Sequence, residues 1–403
     1  MFATAGHMRI KLFQARTVVR EAATGQYHTV FGLNLAHAAI GSSQPHRPLR
    51  IGRRNALSWS ILIMSGATFC IAFLPSYASI GMWAPILLLV IRMVQGFSAS
   101  GEYAGASAFL AEYAPTGKRG LYCSIVPAST AAGLLFGSLF VAGMHMFLTL
   151  EQIHDWGWRV PFLLAAPFGL IGRYIRVHLQ DTPKFRQMEE ALEKREVENK
   201  VPIHDLLGKY RAKVIIAFGV TCLNAVAFYT ILSYMPTYLS AELGMTEQSS
   251  FIASTISLVT YIGFIFLMGE LSDRFGRKTM LVSASILFML LAVPLFSMLD
   301  HGAFITILLI QIAFGALLSM NDGTLASFLS EIFPTKVRYS GFAFSFNSAN
   351  ALFGGTAPFI ATWLISVTGN KLAPAWYLVI ASAVALVAML ASRETAHEDL
   401  ADD

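Results

Sequence analysis

An arginine and a glutamate lie within one long apolar stretch of the sequence, where ionisable side chains are costly and often functional. Arg92, Gln95 and Glu102 have the spacing that places side chains on one stripe of a helix. At a rise of about 1.5 Å per residue, Arg92 and Glu102 would be about 15 Å apart along the axis. Such a pair can hold a zwitterion between opposite charges, or Glu102 can take up a proton beside Arg92. The alternative is a structural pairing with neighbouring helices.

Asp322 is a second acidic residue in an apolar stretch, and Gly323 follows it. The glycine weakens a helix locally and can expose backbone carbonyls to a cavity. Asp322 therefore either contacts a proton or substrate, or serves as a gate or helix cap on the cytoplasmic side. Neutral side chains that can offer hydrogen bonds to a substrate are Asn224, Tyr229, Tyr234, Asn347 and Asn350. Hydrogen bonding between helices is the alternative role for these five.

A charged loop at residues 269–278 (GELSDRFGRK) joins two apolar stretches, and its pattern predicts a cytoplasmic gating loop. Gly269 and Gly276 allow close backbone approach and a tight turn. Asp273 can cap the start of a helix or pair with a neighbouring cation. The basic residues that can anchor the turn to anionic lipid headgroups are Arg274, Arg277 and Lys278.

Composition excludes an ordinary soluble enzyme. Of the 403 residues, 55% are apolar and 13% are charged, against about 25% charged in soluble domains. The mean hydropathy is +0.58, and about 20 apolar residues of helix cross a bilayer. We expect an all-α, polytopic membrane protein. Its ten predicted spans lie near residues 57–74, 84–112, 120–147, 158–177, 214–240, 249–269, 280–299, 303–328, 340–366 and 374–392.

Lysine and arginine are distributed unevenly over the predicted loops. All but three of the 29 Lys and Arg residues, the exceptions being Arg92, Arg159 and Lys371, fall in segments on one side of the membrane. Basic residues favour the cytoplasmic side, and tryptophan favours both interfaces. The tryptophans at predicted outer interfaces are Trp83, Trp156, Trp158 and Trp376. The pattern predicts a multi-pass membrane protein with both termini in the cytoplasm.

A long polar stretch divides the chain into two membrane blocks of unequal size. The predicted parts are a cytoplasmic N-terminal segment (1–54), an incomplete N-terminal bundle of four spans (55–177), a cytoplasmic linker (178–213), a C-terminal bundle of six spans (214–392) and a cytoplasmic tail (393–403). Transporters built from repeats have balanced halves. We therefore expect two spans to be missing at the front.

Several segments resemble a known family. The loop 269–278 resembles the G-x-L-(S/A)-D-(R/K)-x-G-R-(R/K) loop of the major facilitator superfamily. Residues 92–106 (RMVQGFSASGEYAGA) are similar to the R-x-x-Q-G-x-S-x-G-G-E-Y-x-G-A helix of its metabolite:proton symporter family, with Ser100 in place of a glycine. Further similar segments are 112–115 (EYAP), 156–162 (WGWRVPF), 181–185 (DTPKF) and 333–339 (FPTKVRY). Segments 361–364 (ATWL) and 373–378 (APAWYL) resemble proline/betaine transporters most.

The resemblance covers residues 52–392 and implies a fold of twelve spans. Residues 1–51 do not resemble the first two of these spans. The resemblance implies proton-coupled import of a small polar metabolite across a bacterial-type inner membrane, and it favours a functional role for Arg92 and Glu102. Gln95 and Asp322 are candidate proton or substrate contacts from their positions in the predicted spans. No G-x-x-x-x-G-K-(S/T) run supports the use of ATP, and no nucleophile motif suggests an enzyme. The three cysteines have no metal-binding spacing. We expect no cofactor and no nucleic-acid partner; the expected partners are the solute, the proton and the bilayer.

The substrate class stays open between related alternatives. A compatible solute such as proline or glycine betaine is favoured, because Arg92 and Glu102 offer both signs of charge. A carboxylate such as 2-oxoglutarate or citrate should need a second cation, and none lies deep in a predicted span. Residues 1–51 motivate a different reading, a truncated remnant that does not transport. An osmotic sensor derived from a transporter is the third alternative.

Overall fold

The computed structural model describes residues 53–99, 101–178, 203–300, 302–335, 337–396, 398 and 400. These residues form helices and the turns between them, and the described part of the chain contains no strand. The all-α prediction is confirmed. The predicted N-terminal segment up to residue 52, and residues 179–202 of the predicted linker, lie outside the described residues.

The main helices share a strongly apolar character. In chain order they are α1 (Arg53–Ile71), α2 (Trp83–Ala99), α3 (Glu102–Tyr113), α4 (Arg119–Cys123), α5 (Ile125–Phe147), α6 (Ala165–His178), α7 (Arg211–Ala227), α8 (Met235–Ala241), α9 (Glu247–Phe275), α10 (Arg277–Leu299), α11 (Phe304–Ile332), α12 (Arg338–Ala349), α13 (Ala357–Thr368) and α14 (Ala373–Leu390). Two π-helical segments, Phe228–Tyr234 and Asn350–Gly354, lie between α7 and α8 and between α12 and α13. The shorter turns are Tyr77–Ile80, Leu150–Asp155, Gly157–Arg159, Val160–Leu163 and Ile203–Lys209.

Helices occur at all ten predicted span positions, but not all are equally long. Within the described residues, 7 helices are long and apolar enough to cross a membrane by length and composition. The first and second predicted spans contain shorter apolar helices, Trp59–Ile71 and Trp83–Gly96. The fourth is broken into short pieces before α6, which carries Arg173 and Arg176. In these three predicted spans, charged residues and breaks in the helix shorten the continuous apolar helix.

Close helix packing is most extensive between α9 and α11. A Cβ atom at Gly323 of α11 would lie 2.8 Å from the Ile265 carbonyl oxygen and 3.1 Å from the Gly269 nitrogen. A Cβ atom at Gly315 would meet its nearest atoms at 3.5 Å, an ordinary contact distance. Small residues let membrane helices approach closely and gain van der Waals contact. The two backbones therefore approach more closely at Gly323 than at Gly315.

The described residues up to 178 are called the first half of the chain, and those from 203 onward the second half. Buried aromatic rings fill the core of the second half. The Tyr238 and Phe296 ring centroids are 5.4 Å apart, and those of Phe296 and Phe314 are 5.3 Å apart, both pairs meeting edge to face. All three side chains are buried. Helices of the first half pack against those of the second: α9 packs against α4 and α5, and α11 and α12 pack against α3.

We expect Gly323→Ala to destabilise the protein and Gly315→Ala to leave it unchanged or more stable. Overpacking costs about 1–3 kcal/mol, and alanine gains up to about 1 kcal/mol over glycine inside a helix. The net loss of unfolding free energy in Gly323→Ala should be about 1 kcal/mol, the middle of the range that these two terms leave. Thermal unfolding in detergent measures the difference. Equal melting temperatures for the two variants would contradict the tight α9–α11 packing.

Candidate functional site

The Asp322 carboxylate is buried in the middle of α11, and its side chain links three helices. Asn224 of α7 donates a hydrogen bond through Nδ2 to Oδ1, and the Tyr261 hydroxyl of α9 donates to Oδ2. Asp322 is 2% exposed. No ion pair reaches Asp322 from any of the described residues. Asp322 and Asn224, both predicted as site residues, therefore meet, and Tyr261 is a partner that the sequence did not indicate.

Polar groups without partners lie close to Asp322 along the chain. Both amide atoms of Asn321 and the Thr324 hydroxyl are buried and have no hydrogen-bond partner in the described residues. The Thr230 hydroxyl, in the π-helical segment after α7, is in the same state. A buried polar group without a partner costs free energy unless water or a ligand satisfies it. The middle of this bundle therefore holds unused hydrogen-bonding capacity.

The predicted stripe of Arg92, Gln95 and Glu102 crosses a break, because α2 ends at Ala99 and α3 begins at Glu102. Gln95 donates from Nε2 to the Thr68 hydroxyl at 2.6 Å, and Glu102 accepts from the Ser60 hydroxyl at 3.0 Å. Both partners lie on α1. The Arg92 Nε atom is buried without a hydrogen-bond partner among the described residues.

The other predicted hydrogen-bonding residues gather at the two π-helical segments. The Tyr229 ring packs closely on Gly354. A Cβ atom added at Gly354 would lie 2.7 Å from Cε2 of Tyr229 and 3.2 Å from Oδ1 of Asn350. Tyr234 accepts a hydrogen bond from Thr362 at 3.1 Å. Asn347 is half-buried one turn before Asn350. π-Helical segments are frequent at functional sites, and here they bring Tyr229 and Asn350 together.

Asp273 joins the two halves of the chain at the end of the bundle that contains loop 269–278, which we call the charged end. Its carboxylate accepts the backbone N–H groups of Gly120 at 2.7 Å and Leu121 at 2.9 Å, in the first turn of α4. It also accepts a hydrogen bond from Arg277 at 2.8 Å. A helix start has unpaired N–H groups and favours negative charge. Asp273 thus caps a helix of the other half and pairs with a cation at once.

Arg277 holds the helix ends of the charged end together. The guanidinium group is buried and donates to Asp273, to the Ser272 hydroxyl at 2.7 Å and to Glu331 at 3.2 Å. Glu331, at the end of α11, also lies 4.0 Å from Arg119 of α4. A buried cation is stable only when carboxylates and hydrogen bonds satisfy it. The network therefore depends on all of its members.

Two glycines permit the contact between the halves. A Cβ atom at Gly120 would lie 2.3 Å from the Ser272 hydroxyl and 2.4 Å from the Gly269 carbonyl oxygen. A Cβ atom at Gly269 would lie 2.8 Å from the Gly120 carbonyl oxygen and from Ser124 Cβ. A side chain at either position would force α4 and α9 apart.

A second ion pair crosses between the halves. Arg338 lies at the start of α12, and its Nη1 atom is 2.9 Å from the carboxylate of Glu112 on α3. The same guanidinium group donates through Nε to the Ser330 carbonyl oxygen at 2.8 Å. The Arg338 side chain is buried. The contact brings α3, α11 and α12 together at the charged end.

The segment after α14 folds back onto loop 269–278. Glu394 accepts the backbone N–H groups of Arg277 at 2.8 Å and Lys278 at 3.0 Å, which caps α10. Lys278 donates through Nζ to the Ser392 carbonyl oxygen at 2.6 Å. Gly276 has φ +97, and a Cβ atom there would lie 2.4 Å from the Glu394 carboxylate. Glycine is thus required both for the turn and for the approach of this segment.

The tail segment also reaches Glu331 and the first half of the chain. Thr395 donates to Glu331 at 2.7 Å, and Arg119 donates to the Glu398 carbonyl oxygen at 2.6 Å. Arg274 stands apart from this network, because it is exposed and pairs with the exposed Glu270. Five of the six predicted gating-loop residues therefore lie at the contact between the halves or under the tail, and Arg274 faces outward.

We expect Gly120→Ala to open the charged end, because its Cβ atom cannot be placed without separating α4 from α9. Cys123 is fully buried between Ala111 and Ala326 of the two halves and reports this opening. In a background with Cys70 and Cys222 replaced by alanine, Gly120→Ala should raise the rate of Cys123 alkylation by a maleimide at least tenfold.

The matched control is Gly133→Ala on α5, where an added Cβ atom would have nothing within 4 Å. It should leave the alkylation rate within twofold of the parent. Equal rates in the two variants would mean that Gly120 does not set the closeness of the halves.

Comparisons with known proteins agree with the family features in the sequence. A model of the Major Facilitator Superfamily matches residues 22–254 and 217–401, so its first match begins within the predicted N-terminal segment. The proline/betaine transporter of Escherichia coli (strain K12) is 38% identical over 359 residues, which is 87% of this chain and 71% of the relative. A glycine betaine/proline/ectoine/pipecolic acid transporter, OusA of Dickeya dadantii (strain 3937), is 38% identical over the same length and shares. A putative proline/betaine transporter of Staphylococcus aureus (strain COL) is 33% identical over 335 residues, 83% of this chain and 71% of the relative.

Solved structures show the same fold at low sequence identity. The proton:xylose symporter XylE bound to 6-bromo-6-deoxy-D-glucose has a TM-score of 0.73 and 16% identity, covering 95% of this chain and 89% of that one. A D-xylose-proton symporter has a TM-score of 0.69 and 18% identity, covering 94% and 89%.

Proposed function

Because the chain belongs to the Major Facilitator Superfamily, a family of transporters, we propose that it is a proton-coupled symporter. It imports a small polar metabolite, a compatible solute such as proline or glycine betaine. The observation that carries the proton coupling is the buried Asp322 carboxylate, held by Asn224 and Tyr261. The names of the relatives, which are proline/betaine transporters, support the substrate class.

Asp322 is suited to carry the coupling proton. A charged side chain at membrane depth is costly unless a cation pairs with it, and the described residues offer Asp322 hydrogen bonds from neutral groups only. It can therefore hold a proton in one step of a cycle and give it up in another. The hydrogen bonds from Asn224 and Tyr261 keep the carboxylate in place while its charge changes.

Arg92 and Glu102 are the proposed contacts for the charged ends of a zwitterion. The Arg92 Nε atom is buried without a partner among the described residues and can donate to a substrate carboxylate. Glu102 lies at the start of α3 and can attract an ammonium group. The alternative substrate, a dicarboxylate such as 2-oxoglutarate or citrate, would need a second deep cation, and no other Lys or Arg lies deep in a predicted span.

The charged end is the proposed cytoplasmic gate. Positive residues favour the cytoplasmic side, and this supports an inner-membrane protein with both termini in the cytoplasm. The proposed division is a first bundle at 55–177, a linker at 178–213 and a second bundle at 214–392. Alternating access would rock the two bundles about a site at mid-depth. Opening toward the cytoplasm would then break the contacts of Asp273, Gly120 and Arg338.

The test is uptake of labelled proline and labelled glycine betaine into transporter-deficient cells that express the chain, with and without a protonophore. We expect uptake that the protonophore abolishes. Uptake of neither solute, with the protein verified in the membrane, would contradict the proposed substrate class. Uptake of 2-oxoglutarate or citrate in its place would favour the carboxylate alternative, and failure with all four would favour a remnant that does not transport.

The Asp322→Asn variant assigns the proton. The amide keeps the size of the side chain but cannot exchange a proton, so we expect proton-driven accumulation to fall at least tenfold. Exchange of labelled for unlabelled solute without a proton gradient should stay within about twofold. The control is Asp300→Asn, which removes an exposed ion pair with Lys371 after α10 and should change neither activity. Full accumulation in Asp322→Asn would remove Asp322 from the coupling.

A further inference from the structure

The tail segment, residues 391–396 and 398, is docked on the charged end although it lies outside the helices. Three of its side chains, Ser392, Thr395 and Ala396, are buried, with exposed fractions of 6–9%. An irregular segment that buries side chains must also satisfy its backbone N–H and C=O groups. The contacts that do this are formed with helix ends, so the tail segment is a built part of the closed charged end.

The tail segment is attached to the second half at the ends of two helices. Glu394 accepts the backbone N–H groups of the first two residues of α10, at 2.8 and 3.0 Å. The same carboxylate accepts the N–H groups of Thr395 and Ala396 at 3.0 Å each. The Thr395 hydroxyl donates to Glu331, near the end of α11, at 2.7 Å. One carboxylate therefore fixes both the start of α10 and the backbone of the tail segment.

A hydrogen bond from Arg119 carries the tail segment across to the first half. Arg119 lies at the start of α4 and donates through Nη1 to the backbone carbonyl oxygen of Glu398 at 2.6 Å. The same nitrogen atom is 4.0 Å from the Glu331 carboxylate, and the side chain is 15% exposed. A charged donor makes a hydrogen bond roughly twice as strong as a neutral one, and a mostly buried cation that loses its acceptors is costly. Arg119 therefore opposes any movement of α4 away from the tail segment.

We propose that the tail segment is a latch that stabilises the closed charged end. Glu394 and Thr395 keep it on the second half, and its Glu398 carbonyl oxygen holds Arg119 of the first half. When the charged end opens, the hydrogen bond from Arg119 breaks, while the contacts of Glu394 and Thr395 with the second half stay. Detaching the tail segment therefore raises the population of the open state. The inference rests on the proposed function in taking the charged end as the cytoplasmic gate.

The test measures alkylation of Cys123 by a maleimide in the background with Cys70 and Cys222 replaced by alanine. The alkylation rate follows the open population, because Cys123 is fully buried when the charged end is closed. We expect Glu394→Ala to raise the rate at least threefold. The matched control is Glu398→Ala, which also removes one negative charge from the tail segment but leaves the backbone carbonyl oxygen in place. Equal rates in these two variants would overturn the proposal.

Thr395→Val detaches the tail segment without touching the N–H groups of α10. Valine keeps the size of the side chain and loses the hydrogen bond to Glu331, so we expect the alkylation rate to rise at least twofold. This variant guards against a general loss of stability in Glu394→Ala, since the cap of α10 is kept. A rate equal to that of the parent in Thr395→Val would contradict the latch.

A double-mutant cycle tests whether the tail segment acts through the first half. If Arg119 is the group that it holds, Glu394→Ala should change the alkylation rate less than twofold in an Arg119→Ala background. A role for Glu394 only as the cap of α10 would lower the melting temperature equally in both backgrounds and would not produce this difference in alkylation. A full threefold effect in both backgrounds would overturn the proposal.

The alkylation measurement needs no substrate, so the latch and the proposed function can fail separately. If Glu394→Ala raises alkylation while neither proline nor glycine betaine is transported, the proposed function fails and the latch stands. If a solute is transported and alkylation is the same in Glu394→Ala and Glu398→Ala, the proposed function stands and the latch is overturned.

Discussion

The contact between the Asp273 carboxylate and the first turn of α4 is the constraint on which the arrangement of the two halves depends. The carboxylate accepts two backbone N–H groups of one half, and in the other half it accepts a hydrogen bond from Arg277, which also donates to Glu331. Hydrogen bonds to charged groups contribute about 1.5–3 kcal/mol each. The contact is possible only because Gly120 and Gly269 leave no side chain between the backbones. Charge and backbone geometry are both needed at this one place.

The same two helices carry this contact and the buried acid. α9 contains both Tyr261 and Asp273, and α11 contains both Asp322 and Glu331. These two helices pack extensively against each other, with a close approach of their backbones at Gly323. A movement of α9 or α11 at the charged end therefore also moves the groups around Asp322, because packed helices shift as rigid elements rather than bend freely. This arrangement gives the proposed coupling a physical route through two continuous helices.

The helical class and the positions of the helices followed from hydropathy, because the apolar runs are long and charge is confined to their ends. The loop motif identified Asp273 and Arg277 because both glycines and the acid fall at fixed spacing. Tyr261, Glu331 and Glu394 could not be found in this way, since their partners are between 54 and 117 residues away in the sequence or on another helix. The stripe of Gln95 and Glu102 was predicted on one continuous helix. The structure instead places a break between α2 and α3 and turns both side chains toward α1.

The most direct test of the central contact is hydrogen–deuterium exchange of the Gly120 and Leu121 amides, followed by mass spectrometry of peptides that cover α4. If Asp273 holds these N–H groups, Asp273→Asn should speed their exchange at least tenfold. Glu270→Gln on the same loop, whose partner is the exposed Arg274, should leave it unchanged. Exchange that is equally slow in Asp273→Asn would contradict the account, because the amides would then owe their protection to something other than this carboxylate.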